Sequence, residues 1–175
     1  FPLPGTPRQI FHIPETSKVI VLISDNINGK WISYGTFFDT ETKSFSNLIH
    51  FEENLSVTSV TYLPSFECLA VGFARNLHFN PRKSDGGVIL LINSEGEIHH
   101  ITEVEDIPGA LGIFDNYLLS GIGKILRIYK VGMNQLLKKC ESRTLPRFIS
   151  YVNSSGVRLI VGDMTESYIF LKYDK

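Results

Sequence analysis

The chain carries only two cysteines in 175 residues, Cys68 and Cys140. They lie far apart in apolar runs, neither at metal-ligand spacing from a second thiol. Two isolated thiols make no disulfide framework and no thiolate metal site, and they predict a reducing compartment. Charge is also scarce, 20% of residues where about a quarter is usual. Much of the chain is therefore expected to be buried or to face something other than water. The net charge of −1 provides no overall field for nucleic acid or an anionic membrane. No apolar run approaches the ~20 residues of a membrane helix. No stretch sustains the i, i+3, i+4 apolar spacing of a helix. The best candidate, 101–110, is broken by Pro108 and ends in Gly109.

Catalytic signatures are missing as well. No serine stands in G-x-S-x-G, and neither cysteine has a local nucleophile signature. The histidines, His12, His50, His78, His99 and His100, are scattered. His99 and His100 are adjacent on a strand, so their rings point to opposite faces and cannot share one metal. Gly121-Ile122-Gly123 lacks the third glycine of a dinucleotide fingerprint and is followed by a strand, so it reads as a hairpin turn. No catalytic residue, metal, cofactor or small-molecule substrate is expected.

What the sequence does hold is a succession of short β-branched and aromatic runs divided by turn residues. They fall into four sets: 8–13, 18–24, 31–39 and 45–51; then 57–62, 67–74, 87–92 and 97–102; then 110–114, 117–121, 125–131 and 135–141; then 148–152, 157–162 and 167–173. The second run of each set repeats weakly. Val-Ile-Val-Leu ends at Leu22, Leu-Ala-Val-Gly at Gly72, Leu-Leu-Ser-Gly at Gly121 and Leu-Ile-Val-Gly at Gly162, spaced by 50, 49 and 41 residues.

A period of about 40–50 residues holding four strands marks the blades of a β-propeller. One four-stranded sheet cannot cover both its faces, so neighbours must stack around an axis. The expected fold is all-β, with about three and three-quarter four-stranded blades near 7–51, 57–103, 108–142 and 147–175. A β-sandwich also uses many short strands and is the alternative; recurrence in the same strand of each set favours the propeller. The expected innermost strands, the first of each set, are apolar or basic and offer no convergent carboxylates, which argues against an enzyme. Propellers close with about four to eight blades, so this ring is incomplete. The chain opens on Phe1 and stops at Lys175 just after a strong strand, which predicts an excerpt of a longer polypeptide.

Binding is then the expected work of the scaffold. The longest loop, 75–86, contains Asn80, Pro81, Arg82 and Lys83. Long loops on rigid scaffolds are where recognition gathers, so these four are the candidate protein-binding residues. Basic residues crowd the third set: Lys124, Arg127, Lys130, Lys138, Lys139, Arg143 and Arg147, interrupted only by Glu141. Of these, Lys124, Arg127, Lys138 and Lys139 are candidates for contact with RNA or an acidic partner. Strand alternation would spread them over both sheet faces, which makes a solvated outer strand the plainer reading.

The third and fourth sets resemble a known family. Gly121-Ile122-Gly123-Lys124-Ile125-Leu126-Arg127-Ile128-Tyr129, then Leu136-Leu137-Lys138-Lys139-Cys140-Glu141, then Val161-Gly162-Asp163-Met164-Thr165-Glu166-Ser167-Tyr168-Ile169 are similar to the large propeller subunits of splicing factor 3b. Upstream, Gly29-Lys30-Trp31, Asn80-Pro81-Arg82 and Val104-Glu105-Asp106-Ile107-Pro108 follow in the family's order. The superfamily also holds damaged-DNA-binding protein 1 and the largest cleavage and polyadenylation specificity factor subunit. The resemblance implies three seven-bladed, WD40-like propellers in the full protein, with this chain opening the last of them. It implies a nuclear, non-catalytic scaffold of the U2 small nuclear ribonucleoprotein, acting in pre-mRNA splicing and branch-site recognition. Implied partners are the HEAT-repeat subunit and small subunits of splicing factor 3b, with RNA contact indirect. A ubiquitin-ligase adaptor and a 3'-end processing scaffold are the alternatives within the superfamily. One departure stands out: the long charged insertion usual before Gly-x-Trp is reduced to about residues 25–28.

Overall fold

The computed structural model describes residues 3–165 and 168–174. Four antiparallel sheets follow one another along the chain. The first holds β1 (Pro7–His12), β2 (Lys18–Ile27) and β3 (Lys30–Asp39), edged by the two-residue strands β4 (Ser44–Phe45) and β5 (Ile49–His50). The second runs from β6 (Leu55–Leu63) through β7 (Cys68–Arg75); a small separate hairpin, β8 (His78–Phe79) and β9 (Arg82–Lys83), then precedes β10 (Gly87–Asn93) and β11 (Ile98–Val104). The third is β12 (Pro108–Phe114), β13 (Tyr117–Ile122), β14 (Ile125–Val131) and β15 (Leu136–Ser142). The fourth is β16 (Ile149–Ser155), β17 (Arg158–Asp163) and β18 (Tyr168–Lys172).

The sheets stack like blades, with β1, β6, β12 and β16 side by side at the inner edge. Three apolar cores lie between successive sheets. Ile20, Leu22 and Phe37 meet Leu69, Val71 and Phe73 in the first. Cys68, Ala70, Ile89 and Leu91 meet Leu111, Leu118 and Tyr129 in the second. Leu119, Leu126 and Ile128 meet Ile149, Leu159 and Val161 in the third. Alternate residues of β7 thus serve two different cores, and all but the last residue of that strand are buried. A sandwich strand has one solvated face; a strand covered on both faces requires a third layer. The fold is a partial β-propeller.

The repeat has a structural cause. The innermost strand of every sheet bulges at the same place, between Pro7 and Gln9, Val57 and Ser59, Pro108 and Ala110, and Ile149 and Tyr151. Opposite each bulge sits the last residue of the repeated run: Leu22, Gly72, Gly121 or Gly162. A Cβ at Gly121 would lie 2.4 Å from Cγ2 of Ile149, and one at Gly72 would lie 3.0 Å from the Pro108 carbonyl oxygen. Glycine lets the next sheet's first strand close in. Hydrogen bonds cross there too. Gln9 Nε2 donates to the Thr58 carbonyl at 3.1 Å, and the hydroxyls of Thr58 and Ser59 donate to the Pro108 carbonyl at 2.8 and 2.6 Å.

Two expectations need correction. The run 45–51 is not one strand. Ser46 turns its hydroxyl to the Phe37 amide at 2.9 Å, and the pairing gains a residue before it resumes at Gly35↔Ile49. The segment read as one long loop, 75–86, carries a short hairpin of its own, β8–β9. The weakly helical stretch 101–110 is the close of β11 and the opening of β12.

Candidate interaction surface

The turns between second and third strands and the links between sheets all lie at one end of the stack, because every sheet is an antiparallel meander. The β8–β9 hairpin sits at this end, between β7 and β10. Its Asn80–Pro81 peptide is cis, and Asn80, Pro81, Arg82 and Lys83 are all exposed.

Contacts from the hairpin reach two other sheets. Toward the first sheet, Trp31 donates its indole N–H to the Leu77 carbonyl at 2.6 Å and meets Phe79 edge-on, with ring centroids 5.8 Å apart. Trp31 itself is buried with Ala74, Leu77 and Ile107, while Phe79 is 68% exposed. Toward the fourth sheet, the Arg82 guanidinium stacks over Phe148 at 4.4 Å and donates to Met164 Sδ at 2.7 Å. Arg8 lies over Trp31 at 5.9 Å, and Arg147 donates to Thr165 Oγ1 at 2.9 Å. The hairpin therefore bridges the first and fourth sheets across the end of the arc. Sequence reading singled out the loop that holds the hairpin and counted Arg147 only within the third-set basic stretch, but it did not pick out Phe79, Trp31, Phe148, Met164 or Arg8 as surface-forming residues. The lone tryptophan beside Gly29 was the available signal.

The third-set basic residues separate. Lys124 is exposed in the β13–β14 turn at the hairpin end. Lys138 and Lys139 project from β15, where Lys138 pairs with Glu141 at 3.6 Å and Lys139 lies 3.8 Å over the Tyr117 ring. Arg127 is placed otherwise. It is 7% exposed, bonded to the carboxylates of Glu105 and Glu141 and to the Tyr129 hydroxyl. Glu105 belongs to the link between the second and third sheets, so Arg127 ties that link to β14. Its charge is satisfied internally, and Arg143 joins at 2.9 Å from Glu141.

The titrations follow from this geometry. Hydrogen bonds from Arg143 and Arg127 hold the Glu141 carboxyl down at about 2. The Glu105 carboxyl is lowered chiefly by its hydrogen bond to Arg127. Arg127 is raised, first by Glu105. Burial pushes the Cys68 thiol up to about 11, which makes it a packing residue rather than a nucleophile. Among the described residues, no group of three or more His, Cys, Asp or Glu side chains could hold a metal ion.

Four stacked antiparallel sheets, bridged at one end by an aromatic and arginine-bearing hairpin, define a partial β-propeller with a loop surface at that end. The chain belongs to the CPSF A subunit region family, whose model matches residues 34–175. It is 33% identical over 177 residues to splicing factor 3B subunit 3 of Danio rerio, covering 95% of this chain and 14% of that protein. Over 110 residues it is 42% identical to splicing factor 3B subunit 3 of Drosophila melanogaster, covering 60% of this chain and 9% of that one. Pre-mRNA-splicing factor RSE1 of Mycosarcoma maydis is 36% identical over 155 residues, covering 83% and 13%. The chain spans about a seventh of the length of such relatives at most.

Proposed function

We propose that this chain is part of a non-catalytic, nuclear protein-interaction scaffold of splicing factor 3b, acting in the U2 small nuclear ribonucleoprotein during branch-site recognition. The supporting observation is the joint one: a family match over 34–175, with splicing-factor relatives at 33–42% identity, on a fold whose sheets hold loops rigidly. Rigid display lowers the ordering cost of binding. The partners are the HEAT-repeat and small subunits of the same complex, and contact with RNA is indirect. Asn80, Pro81, Arg82 and Lys83 are the protein-facing group. Lys124, Lys138 and Lys139 are secondary contacts for acidic partners. Arg127 serves the internal ion-pair network.

The test is affinity purification of the full-length polypeptide from its own cells. U2 RNA and the HEAT-repeat subunit should co-purify. Recovery of a cullin without U2 RNA would replace this reading with that of a ubiquitin-ligase adaptor, and recovery of 3'-end processing factors would do the same for that class.

A further inference from the structure

The hairpin end combines exposed apolar groups with cations that have no acidic partner among the described residues. Phe79 is 68% exposed and Met164 is 58% exposed. Arg8, Arg82, Lys83 and Arg147 surround them, and among the described residues none of the four has a carboxylate within salt-bridge distance. Three described carboxylates at this end are engaged with other groups: Asp25 accepts from the Thr6 amide, Asp85 from Asn76, and Asp163 from Thr165. Stacking on Phe148 and the bond to Met164 hold the Arg82 guanidinium in place while leaving further N–H donors unspent. A guanidinium fixed in advance forms carboxylate bonds at lower entropic cost.

We infer that this surface, from Arg8 through Phe79 and Arg82 to Arg147, docks an acidic protein segment that also carries apolar side chains. The inference rests on the scaffold reading above and specifies the chemistry of one partner. Charge complementarity selects an acidic segment, and the exposed Phe79 and Met164 require apolar groups within it. A protein segment is favoured over RNA because the chain's net charge of −1 gives no field for a long polyanion. The aromatic neighbours of the hairpin are also already spent, Trp31 being 3% exposed and Phe148 covered by Arg82.

The experiment uses the full-length chain and three fluorescent probes: a 20-residue peptide alternating Glu with Leu and Phe, the same peptide with Gln for Glu, and a 20-nucleotide single-stranded RNA. The acidic peptide should bind at least tenfold tighter than the Gln peptide and be displaced by salt. Phe79→Ala and Arg82→Ala should each weaken it at least fivefold. Arg82→Lys, which keeps the charge but loses the flat stack, should weaken it less, and Lys43→Ala at the opposite end should leave it unchanged. Equal binding of the two peptides, stronger binding of the RNA, or insensitivity to both alanine substitutions would overturn the inference. Recovery of U2 RNA reads the splicing assignment separately. Full-length chain that recovers U2 RNA but ignores the acidic peptide overturns this inference alone; chain that binds the peptide without U2 RNA overturns the assignment alone.

Discussion

Gly121 faces Ile149 of the following sheet so closely that a methyl group would sit 2.4 Å from a side-chain carbon. Its conformation suits any residue, so the constraint is packing rather than backbone. Gly121→Ala should therefore lower stability by about 1–3 kcal/mol, measured as a lower denaturant midpoint at unchanged slope in the full-length chain. A second residue-level case is Arg127, which serves two carboxylates while nearly buried. Arg127→Ala takes from Glu105 its main partner and from Glu141 one of its two arginines, and should lower the denaturant midpoint of the full-length chain by less than the loss of a fully buried pair would, because Glu105 is half-exposed and Arg143 still holds Glu141. The pH dependence has a definite sign. The Glu141 carboxyl falls from its ordinary 4.5 to about 2 on folding, and that of Glu105 is lowered too. The unfolded chain thus takes up these protons first as pH falls. The contribution is complete above the ordinary carboxylate range and is lost between about 4.5 and 2. In Arg127→Ala, melting temperature should fall less steeply across that window than in the parent chain. Equal slopes would show that these carboxylates gain nothing from Arg127.

At the scale of elements, the hairpin β8–β9 is held from outside by the indole N–H of Trp31 on the Leu77 carbonyl, at 2.6 Å. Trp31→Phe keeps a ring and removes that donor. Amide exchange across residues 77–86 should accelerate at least tenfold while β7 and β10 stay protected; a global loss of protection would mean that the hairpin is not a separate unit. Much of the element order could be read from sequence, because β-branched runs and turn residues mark strands locally. Tyr117, Ile125 and Gly87 open β13, β14 and β10 where the pattern puts them. Ends were harder. β2 and β3 extend to Ile27 and Lys30 because Asn28 and Gly29, both at positive φ, close a two-residue turn. The hairpin's hold on Trp31, Phe148 and Met164 could not be read at all, since those contacts join residues 46 and 82 positions apart. Arg127 looked like surface charge because its partner Glu105 lies in the link before its sheet, 22 residues away.

For the whole molecule, register equivalence between the sheets is informative. Ile89 and Leu91 of β10 match Leu126 and Ile128 of β14, each pair beginning opposite the glycine of the repeat. All four are buried against a following or adjoining sheet. The matching residues of β18 are Tyr168 and Phe170, opposite Gly162 and Ile160, and they are 69% and 75% exposed. The fourth sheet thus has the same forward face as the others, rich in apolar area but uncovered, and burying such aromatics contributes about 1.5–3 kcal/mol each. Expressed alone, residues 1–175 should aggregate or melt broadly, and replacing Tyr168 and Phe170 by Glu should make that fragment more soluble while destabilising the full-length chain. We propose that a further sheet of a longer propeller covers this face. The most direct measurement is a cryo-electron microscopy structure of the full-length chain. It should show Tyr168 and Phe170 packed against the first strand of a fifth sheet, with a fourth strand paired to β18. A structure that leaves both side chains in solvent, or that closes these strands into two opposed layers, would contradict the account.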